Sequence, residues 1–299
     1  MQELDLSLKQ RAYRKICKVF MTQIPDKKYI ELLYEVRTGK KLNLQSPKTY
    51  NEKLNWLKLY YHNNELTKMA DKITAKEIVS ESIGSEYVVP IIGIWEKAED
   101  IDYEKLPNSF VLKCNHDSGS VVICKDKKSF DIKATKEKLQ ECLSKNYYYY
   151  SREWAYKNIE PKIIAEPYLE DFECTELRDY KFFCFDGEVK FLYVATDRFK
   201  ENEEVKFTFF DSDYNYLPVV HGHPYAEPLP KKPAGYEKMK ELAGILSKGL
   251  PHVRVDFYEA NGKIYFSEFT FYNNSGFLTF QPDEWDSKFG EYLNLPTKV

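Results

Sequence analysis

Two glycine-containing turns, each between alternating apolar runs, constrain the fold of this chain more than any other feature. Asp186-Gly187 separates LRDYKFFCF from EVKFLYVATDRF, and Asn261-Gly262 separates HVRVDFYEA from KIYFSEFTF. Asp-Gly and Asn-Gly readily adopt the left-handed backbone that a two-residue hairpin turn requires, so both segments are predicted to be hairpins. The C-terminal half therefore contains antiparallel sheet.

The remaining patterns are mainly helical. Apolar residues recur at helical spacing in five segments, 8–19, 50–61, 69–84, 135–158 and 236–249. Ser46-Pro47 is the predicted start of the second helix, and Gly84 and Gly249 are the predicted ends of the third and the last. Two apolar runs at 110–114 and 121–124 are predicted to pair across a short polar turn, and residues 163–169 to form a strand that enters a hinge. Helices combined with antiparallel hairpins predict an α+β fold.

The composition excludes several classes of function. The 299 residues include 44 Lys and Arg against 47 Asp and Glu, and a net charge of −3 does not favour binding to nucleic acid. No run approaches the ~20 apolar residues of a membrane span, so a cytoplasmic location is expected. Residues 8–19 are basic and amphipathic, which fits either peripheral contact with an anionic membrane or a solvated helix packed on the protein. The six cysteines lack CxxC pairs and are expected to be reduced thiols.

Two carboxylates and a guanidinium are predicted to meet on the second hairpin. Arg254 and Asp256 share one face of a strand because side chains alternate, and the turn brings Glu268 towards that strand. Mg²⁺ prefers one or two carboxylates together with phosphate oxygens, and an arginine can neutralise a phosphoryl group during its transfer. Asp256 and Glu268 therefore predict a magnesium site, although a cross-strand salt bridge on a solvated face explains the same residues.

Lys113 stands at the end of an apolar strand and precedes the small polar turn NHDSGS at 115–120. Backbone N–H groups can approach phosphates closely where side chains are small, so the lysine and the turn fit a nucleotide. The turn has one glycine and matches neither GxxxxGK[ST] nor GxGxxG, which leaves a plain hairpin turn as the alternative. At 166–169 the hinge backbone can pair with an adenine edge, and Glu166 can accept from its amine. The alternative there is a strand end with a solvated glutamate.

Taken in order, these segments resemble the ATP-grasp superfamily. The resemblance rests on Lys113 with its NHDSG turn, IIAEPYL, RDYKFF and RVDF followed by YFSEFTF and SGF. More closely, the chain resembles the TupA-like branch, which is associated with teichuronopeptide and with capsular or other surface polysaccharide synthesis. SPKTYNEKLNWLKLYY, MADKITAKEIV and YVVPIIG extend the resemblance to roughly residues 30–280.

The resemblance implies an ATP-grasp fold, in which two α+β subdomains of antiparallel sheet clamp ATP beside a helical N-terminal region. The implied division gives residues 1–85 to that helical region and the start of the N-terminal ATP-grasp subdomain. Residues 86–165 would form a central subdomain with the phosphate-binding hairpin, and residues 166–299 a C-terminal subdomain with the magnesium-binding strands.

The resemblance also assigns roles to individual residues. Lys113 and Lys181 would contact the ATP phosphates, with Arg254 at the transferring phosphate and Lys181 and Arg254 as the catalytic pair. The turn Ser118, Gly119 and Ser120 would close over the phosphates, and Glu166, Pro167, Tyr168 and Leu169 would hold adenine. Asp256 and Glu268 would bind Mg²⁺. Thr270 stands where better-known carboxylate–amine ligases carry Asn, so Asn273 is the predicted third metal ligand, with Asn274 as its alternative.

The implied activity is ATP-dependent amide ligation, with a small-molecule or glycan carboxylate and an amine acceptor as substrates. ATP phosphorylates the carboxylate to an acylphosphate, which the amine attacks. The substrates would belong to surface polysaccharide synthesis, and the protein would contact a lipid-linked glycan peripherally at the membrane. One alternative is a glycosyltransferase or sugar kinase that uses a nucleotide sugar, for which Asp211-Ser212-Asp213 is the nearest approach to a DxD motif. Another is a catalytically silent nucleotide-binding protein. His221-Gly222-His223 is interpreted as a loop near the rim of the site.

Overall fold

The structure is a computed structural model and describes residues 22–171, 177–198 and 203–297. The described chain begins with a helical region of four helices, α1 (Asp26–Thr38), α2 (Tyr50–Tyr60), α3 (Asn64–Ala70) and α4 (Thr74–Ile83). The helix predicted over residues 8–19 lies outside the described residues. None of the described helices is long and apolar enough to cross a membrane.

Two details of the helical region differ from the prediction. Helix α2 is capped at Thr49 and begins at Tyr50, rather than at Ser46-Pro47, because the Thr49 hydroxyl accepts from the backbone of Glu52 while the Glu52 carboxylate accepts from the backbone of Thr49. The single helix predicted over 69–84 is two helices. The carboxylate of Asp71 accepts from the backbone N–H of Ile73 at 2.9 Å, which favours a turn between α3 and α4.

A four-stranded antiparallel sheet follows, which is called the small sheet. It contains β1 (Gly93–Trp95), β2 (Phe110–Cys114), β3 (Val122–Cys124) and β4 (Ile163–Pro167) in the order β1-β4-β2-β3. Helices α5 (Ile132–Leu143) and α6 (Tyr148–Ser151) replace the single helix predicted over 135–158. Alternate residues of β2 are fully buried and pack with Leu139 of α5, so the other face of β2 is available for the site.

A six-stranded antiparallel sheet, called the large sheet, contains both predicted hairpins. Its strands are β5 (Asp179–Phe185), β6 (Glu188–Thr196), β7 (Lys206–Asp211), β8 (Tyr216–Leu217), β9 (Val253–Ala260) and β10 (Lys263–Thr270), in the order β10-β9-β5-β6-β7-β8. Helix α7 (Tyr236–Leu246), which ends before the predicted Gly249, contacts β5, β6 and β9. The predicted α+β fold with antiparallel sheets is confirmed.

An aromatic core holds α2 and helix α8 (Glu284–Tyr292) against the large sheet. The ring of Phe191 stacks on Phe183 and on Phe289, with centroids 4.4 and 3.8 Å apart. Burial of each such side chain contributes roughly 1.5–3 kcal/mol relative to exposure. This rigid packing fixes the strands that carry the charged residues described next. The division at residues 85 and 165 stays a prediction.

Candidate active site

A row of polar side chains crosses one face of the large sheet. The register pairs Lys181 of β5 with Asp256 of β9, and Asp256 with Glu268 of β10. Arg254 lies two residues before Asp256 and therefore projects from the same face. Tyr193 of β6, opposite Lys181, extends the row. The structure thus brings together Arg254, Lys181, Asp256 and Glu268, as the sequence analysis predicted.

A β-bulge at Ser267 makes Glu268 face Asp256. The pairing passes from Phe266 opposite Phe257 directly to Glu268 opposite Asp256, so Ser267 is the additional residue. In a regular hairpin with the same turn, Ser267 would face Asp256 and Glu268 would point to the other face, since a one-residue change of register inverts the side chains. The bulge therefore creates the carboxylate pair.

Arg254 lies at the centre of this group, which is called the large-sheet cluster. Its guanidinium donates to both oxygens of Asp256 at 2.7 Å. It also donates to Oε1 of Glu268 at 3.3 Å and to Oδ1 of Asn273 at 2.7 Å. Burial raises the pKa of Asp256, but Arg254 and Lys181 outweigh burial and hold that pKa below its ordinary value. Oxygens of all three predicted metal ligands therefore converge on one cation.

Lys181 links Asp256 to a further buried carboxylate. Its ammonium donates to Oδ2 of Asp256 and lies 3.2 Å from Oδ2 of Asp179, which also pairs with Arg198. Burial lowers the pKa of Lys181, but the charge of Asp256 outweighs burial and raises that pKa above its ordinary value. Buried charges persist only when opposite charges pair with them, so this lysine and its two carboxylates stabilise one another.

Asn273 reaches the cluster from a loop beyond β10, and His221 fixes the orientation of its amide. The ring Nδ1 of His221 donates to the carbonyl of Thr279 at 3.3 Å, so Nε2 accepts from Nδ2 of Asn273 at 3.2 Å. Burial lowers the pKa of His221 to about 3, which keeps the ring neutral and able to accept. The amide oxygen of Asn273 is consequently turned towards Arg254.

A buried pair of charged side chains holds the backbone just after Asn273. The φ angles of Asn274 and Ser275 are 46° and 56°, a left-handed conformation that costs a non-glycine residue roughly 1–3 kcal/mol. Glu153 accepts from the Ser275 hydroxyl at 2.6 Å, and Lys58 of α2 donates to the Ser275 carbonyl at 2.5 Å. These contacts stabilise the left-handed turn and so the position of the Asn273 amide.

Lys113, Glu166 and Lys76 form a second group, called the small-sheet cluster. Glu166 of β4 pairs with Val111 of β2, so Lys113 lies on the same face two residues further along. Lys113 Nζ lies 2.7 Å from Oε2 of Glu166, and Lys76 Nζ of α4 lies 3.0 Å from Oε1. Burial raises the pKa of Glu166, but the two lysines outweigh burial and hold that pKa below its ordinary value. The carboxylate predicted to face an adenine amine thus contacts two lysines in this structure.

The predicted phosphate turn contains two exposed residues and one buried residue. Gly119 has φ 111°, a backbone conformation that residues other than glycine rarely adopt. Ser118 and Gly119 are exposed, whereas the Ser120 hydroxyl donates to Asp117 at 2.6 Å and accepts from the backbone N–H of Cys114 at 2.7 Å. Ser120 therefore shapes the turn, and Ser118 and Gly119 are the members that can meet a ligand.

Pro167, Tyr168 and Leu169 continue from β4 as partly buried residues beside the small-sheet cluster. Lys125 lies over the Tyr168 ring at 5.8 Å from its centroid. The pairing of this hinge backbone with an adenine edge stays a prediction.

A cleft of about 290 Å³ opens beside the phosphate turn. Its walls include Ser118 and Gly119, the Lys145 side chain, and the rings of Tyr147 and Tyr150, whose centroids lie 6.0 Å apart. The volume approaches that of small-molecule pockets, and aromatic walls with a few polar groups are typical of them. The cleft is large enough for a small organic substrate next to the turn.

One other sequence candidate, the triplet Asp211-Ser212-Asp213, has a local structural role. The carboxylate of Asp211 accepts from the backbone of Asp213 at 2.9 Å and of Asn215 at 2.8 Å, so this triplet shapes the turn between β7 and β8. Within residues 22–171, 177–198 and 203–297, no three His, Cys, Asp or Glu side chains converge to hold a metal. The best donor set is instead the two carboxylates and the amide around Arg254. All three offer hard oxygen atoms, which fit Mg²⁺.

Two features of the site, Lys76 and the bulge at Ser267, were not predicted from the sequence. Lys76 was not singled out, although Lys72 and Lys76 stand four residues apart in MADKITAKEIV, a spacing that favours one helix face. The spacing of the apolar residues around Ser267 also indicates the bulge. Phe266 and Phe269 are both buried, and two buried residues three positions apart break the alternation of a regular strand.

The family model for TupA-like ATP-grasp proteins matches residues 52–294. No protein of curated function matches the chain.

Similar solved structures include the D-alanine–D-alanine ligase from Helicobacter pylori, at 13% identity, 84% of this chain, 68% of that chain and TM-score 0.44. The D-alanine–D-alanine ligase from Bacillus anthracis complexed with ATP is 18% identical over 75% of this chain and 58% of that chain, with a TM-score of 0.39. The ATP-grasp ligase PsnB complexed with a minimal precursor is 9% identical over 71% of this chain, with a TM-score of 0.42. The match covers 55% of that chain, so this chain spans little more than half of that structure. Because the family match covers well over half of the chain, this protein belongs to the TupA-like ATP-grasp family, and the family and the ATP-grasp fold predicted from its sequence are confirmed.

Proposed function

We propose that this protein is an ATP-dependent carboxylate–amine ligase that acts through an acylphosphate. One observation carries the proposal. On one face of the large sheet, oxygens of Asp256, Glu268 and Asn273 converge within 3.3 Å of the Arg254 guanidinium, and Lys181 is paired to the same Asp256. Oxygen ligands for a hard cation together with fixed positive charges are what phosphoryl transfer requires.

Each element of this site has a role in the proposed reaction. Asp256, Glu268 and Asn273 would hold Mg²⁺, which, when bound, neutralises charge on the phosphate oxygens. Lys181 and Arg254 stabilise the negative charge that develops on the transferring phosphoryl group. In the small-sheet cluster, Lys113 contacts the phosphates beside the Ser118 and Gly119 backbone.

The chemistry needs no nucleophile from the protein. An oxygen of the substrate carboxylate attacks the terminal phosphorus of ATP, and ADP leaves. The amine then attacks the acyl carbon, inorganic phosphate leaves, and the amine gives up a proton. The cleft lined by Lys145, Tyr147 and Tyr150 is the place for the carboxylate substrate, because it opens beside the phosphate turn.

The substrates belong to surface polysaccharide synthesis in this proposal, with a sugar acid or glycan carboxylate as acceptor of the phosphoryl group. The TupA-like family supports this assignment. In this proposal the protein works in the cytoplasm, on a lipid-linked glycan at the inner face of the membrane.

The test combines thermal unfolding with product release. A ligand that binds only the folded state at a hundredfold excess over Kd stabilises it by about 2.7 kcal/mol. Mg-ATP is expected to raise the Tm, and Glu268→Gln is expected to lose the magnesium-dependent part of that rise. Glu268 is suited to this test because its side chain is one-third exposed.

Asp213→Asn is the matched control, since it removes a carboxylate whose side chain is 80% exposed. ADP release that requires both a uronic or amino acid and an amine completes the test. A Tm that rises with UDP-sugars but not with Mg-ATP would contradict the ligase and favour the glycosyltransferase.

A further inference from the structure

The cleft beside the phosphate turn has to admit the amine as well as the carboxylate substrate. In the proposed reaction the amine attacks the acyl carbon, and reacting atoms must come within about 3–3.5 Å of each other. The amine therefore enters the same cleft. At neutral pH a primary alkyl amine is mostly an ammonium cation, since the ordinary pKa of such a group in lysine is about 10.4. The charges that line the cleft consequently decide which amine it accepts.

Two charged side chains, Asp117 and Lys145, line this cleft. Lys145 is compensated, because its ammonium lies 2.5 Å from Oε1 of Glu141. Among the described residues, no lysine or arginine forms an ion pair with the Asp117 carboxylate. Its Oδ1 accepts from the Ser120 hydroxyl, and Lys72 donates to the backbone carbonyl of Asp117 rather than to the carboxylate. Asp117 is thus the charged group of the cleft that still lacks an ionic partner within this part of the chain.

The thiol of Cys142, on another wall of the cleft, indicates the sign of the electric field there. Burial is the main cause that raises the pKa of this thiol, and the negative charge of Asp117 raises it further. The positive charge of Lys145 lowers the same pKa by less. Asp117 therefore acts on this wall more strongly than Lys145 does, so the field favours a cation in the cleft.

Two tyrosine rings provide a second attraction for a cation. The rings of Tyr147 and Tyr150 line the cleft with their centroids 6.0 Å apart and their planes at 48°. A cation within about 6 Å of a ring centroid is attracted by the negative face of the ring. An ammonium can donate to a carboxylate and lie against aromatic faces at the same time, which neither a carboxylate nor a hydroxyl group can do.

We propose that Asp117, Tyr147 and Tyr150 bind the amine substrate as a primary ammonium cation. This role rests on the proposed function, since it concerns the second substrate of the ligase. The bound nitrogen loses one proton before it attacks, and water can take that proton at the exposed mouth of the cleft, where Ser118 and Gly119 lie. The second proton leaves when the carbon–nitrogen bond has formed and inorganic phosphate departs. Nucleophiles without a positive charge lack the attraction and are selected against.

The test uses Cys142 as a reporter, because its thiol lines the cleft and the measurement needs no turnover. Iodoacetamide alkylates the folded protein at pH 7, and mass spectrometry of the peptide that contains Cys142 gives the rate at that thiol alone. L-alaninamide carries an ammonium and no carboxylate, whereas in L-lactamide a hydroxyl replaces the ammonium. L-alaninamide is expected to slow the alkylation in a saturable manner. L-lactamide should need at least about a tenfold higher concentration, because a hydrogen bond between charged groups is lost.

Asp117→Asn is expected to raise the half-protecting concentration of L-alaninamide about tenfold or more. Asn keeps the oxygen that accepts from Ser120, so the turn is expected to stay folded. Tyr150→Leu keeps an apolar wall without an aromatic face and should raise that concentration about two- to fivefold. Asp126→Asn is the matched control, because the Asp126 carboxylate also shapes a turn, by accepting from the backbone of Lys128, but lies outside the cleft. Its half-protecting concentration should equal the wild-type value.

Each variant is compared with its own rate without an added amide, since Asp117→Asn also removes a charge that raises the pKa of Cys142. Equal protection by the two amides would overturn the assignment, because the cleft would then recognise shape and not charge. Absent protection by L-alaninamide would overturn it as well, as would an unchanged half-protecting concentration in Asp117→Asn. Failure of the proposed function is distinguishable, because protection of Cys142 does not require ATP. A protein that L-alaninamide protects, but whose Tm does not rise with Mg-ATP, would have the cation site and not the ligase activity.

Discussion

The small-sheet and large-sheet clusters differ in charge balance. In the small-sheet cluster two lysines, Lys76 and Lys113, share the single carboxylate of Glu166. In the large-sheet cluster Lys181 and Arg254 face Asp256 and Glu268, and Asp179 pairs with Arg198 as well as with Lys181, so three carboxylates face three cations. A surplus of positive charge attracts an anion. The comparison teaches that the small-sheet cluster is suited to a phosphate, whereas the large-sheet cluster offers oxygen ligands to a cation beside positive charges that can meet a phosphate.

The largest expected effect comes from breaking the large-sheet cluster at its centre. Asp256→Asn removes the carboxylate that lies between Lys181 and Arg254 and leaves two buried cations without it. Breaking a buried ion pair from one side costs about 3–5 kcal/mol. Urea unfolding should therefore show that decrease in the free energy of unfolding. A loss below about 1 kcal/mol would mean that Asp179 and Glu268 compensate both cations.

The next largest effect should come from acidic pH, which should destabilise the large-sheet cluster before the small-sheet cluster. Burial lowers the pKa of His221 and of His252 to about 3, and both lie against the large sheet. Below pH 6.5 the unfolded chain binds protons at these rings that the folded chain does not, so stability falls as the pH decreases towards 3. Each histidine contributes about 1.4 kcal/mol per pH unit in that window and no pH dependence above it.

Urea unfolding at several pH values measures this slope, and hydrogen exchange shows where it acts. Amides of β9 should lose protection before amides of β2, because the acid-sensitive rings pack on the large sheet. His221→Phe should remove about half of the slope. An unchanged slope in that variant would place the proton uptake elsewhere in the chain.

The two lysines of the small-sheet cluster should then behave differently. Lys76 also donates to the carbonyl of Val89 at 2.6 Å, so Lys76→Met leaves a buried carbonyl and half of Glu166 unpaired and should cost about 2 kcal/mol of stability. Lys113→Met should cost less stability and more Mg-ATP affinity, about tenfold, because Lys113 is the more exposed. Equal effects on stability and affinity in the two variants would show that the cluster has no division of roles.

The smallest expected effect concerns the support of Asn273. In His221→Phe the ring can still stack on Phe280, as the imidazole does with centroids 3.9 Å apart, but it no longer accepts from the Asn273 amide. Loss of an outer hydrogen bond to a ligand typically weakens a metal site 10–100-fold. The Mg²⁺ concentration that half-saturates ATP-dependent stabilisation should rise by about tenfold. In the control variant Asp213→Asn, the same Mg²⁺ concentration should stay at the wild-type value.

The sequence was sufficient for the parts of the site that follow from local rules. Alternation along a strand placed Arg254 and Asp256 on one face, and the Asp-Gly and Asn-Gly turns located both hairpins. The orientation of Glu268 was not determined by those rules, because it depends on the bulge at Ser267, which strand counting from the turn does not include.

Other parts depend on contacts between distant segments. Lys76 meets Glu166 across ninety positions of the chain, and Lys58 meets Ser275 across 217. No local pattern specifies such a meeting before the fold is known. Ser118 and Ser120 are the same residue type two positions apart, and only the conformation of the turn directs one hydroxyl inward and leaves the other exposed.

The proposed oxygen ligands fall into two parts that can mutate independently. Asp256 and Glu268 belong to the rigid sheet, and their spacing cannot change without a change of strand register. The amide of Asn273 instead precedes a left-handed turn that Lys58 and Glu153 hold, so substitutions there can shift it while the sheet stays intact. In the proposed site, substitutions in helix α2 are therefore expected to alter cation preference, although α2 supplies no ligand of the ion.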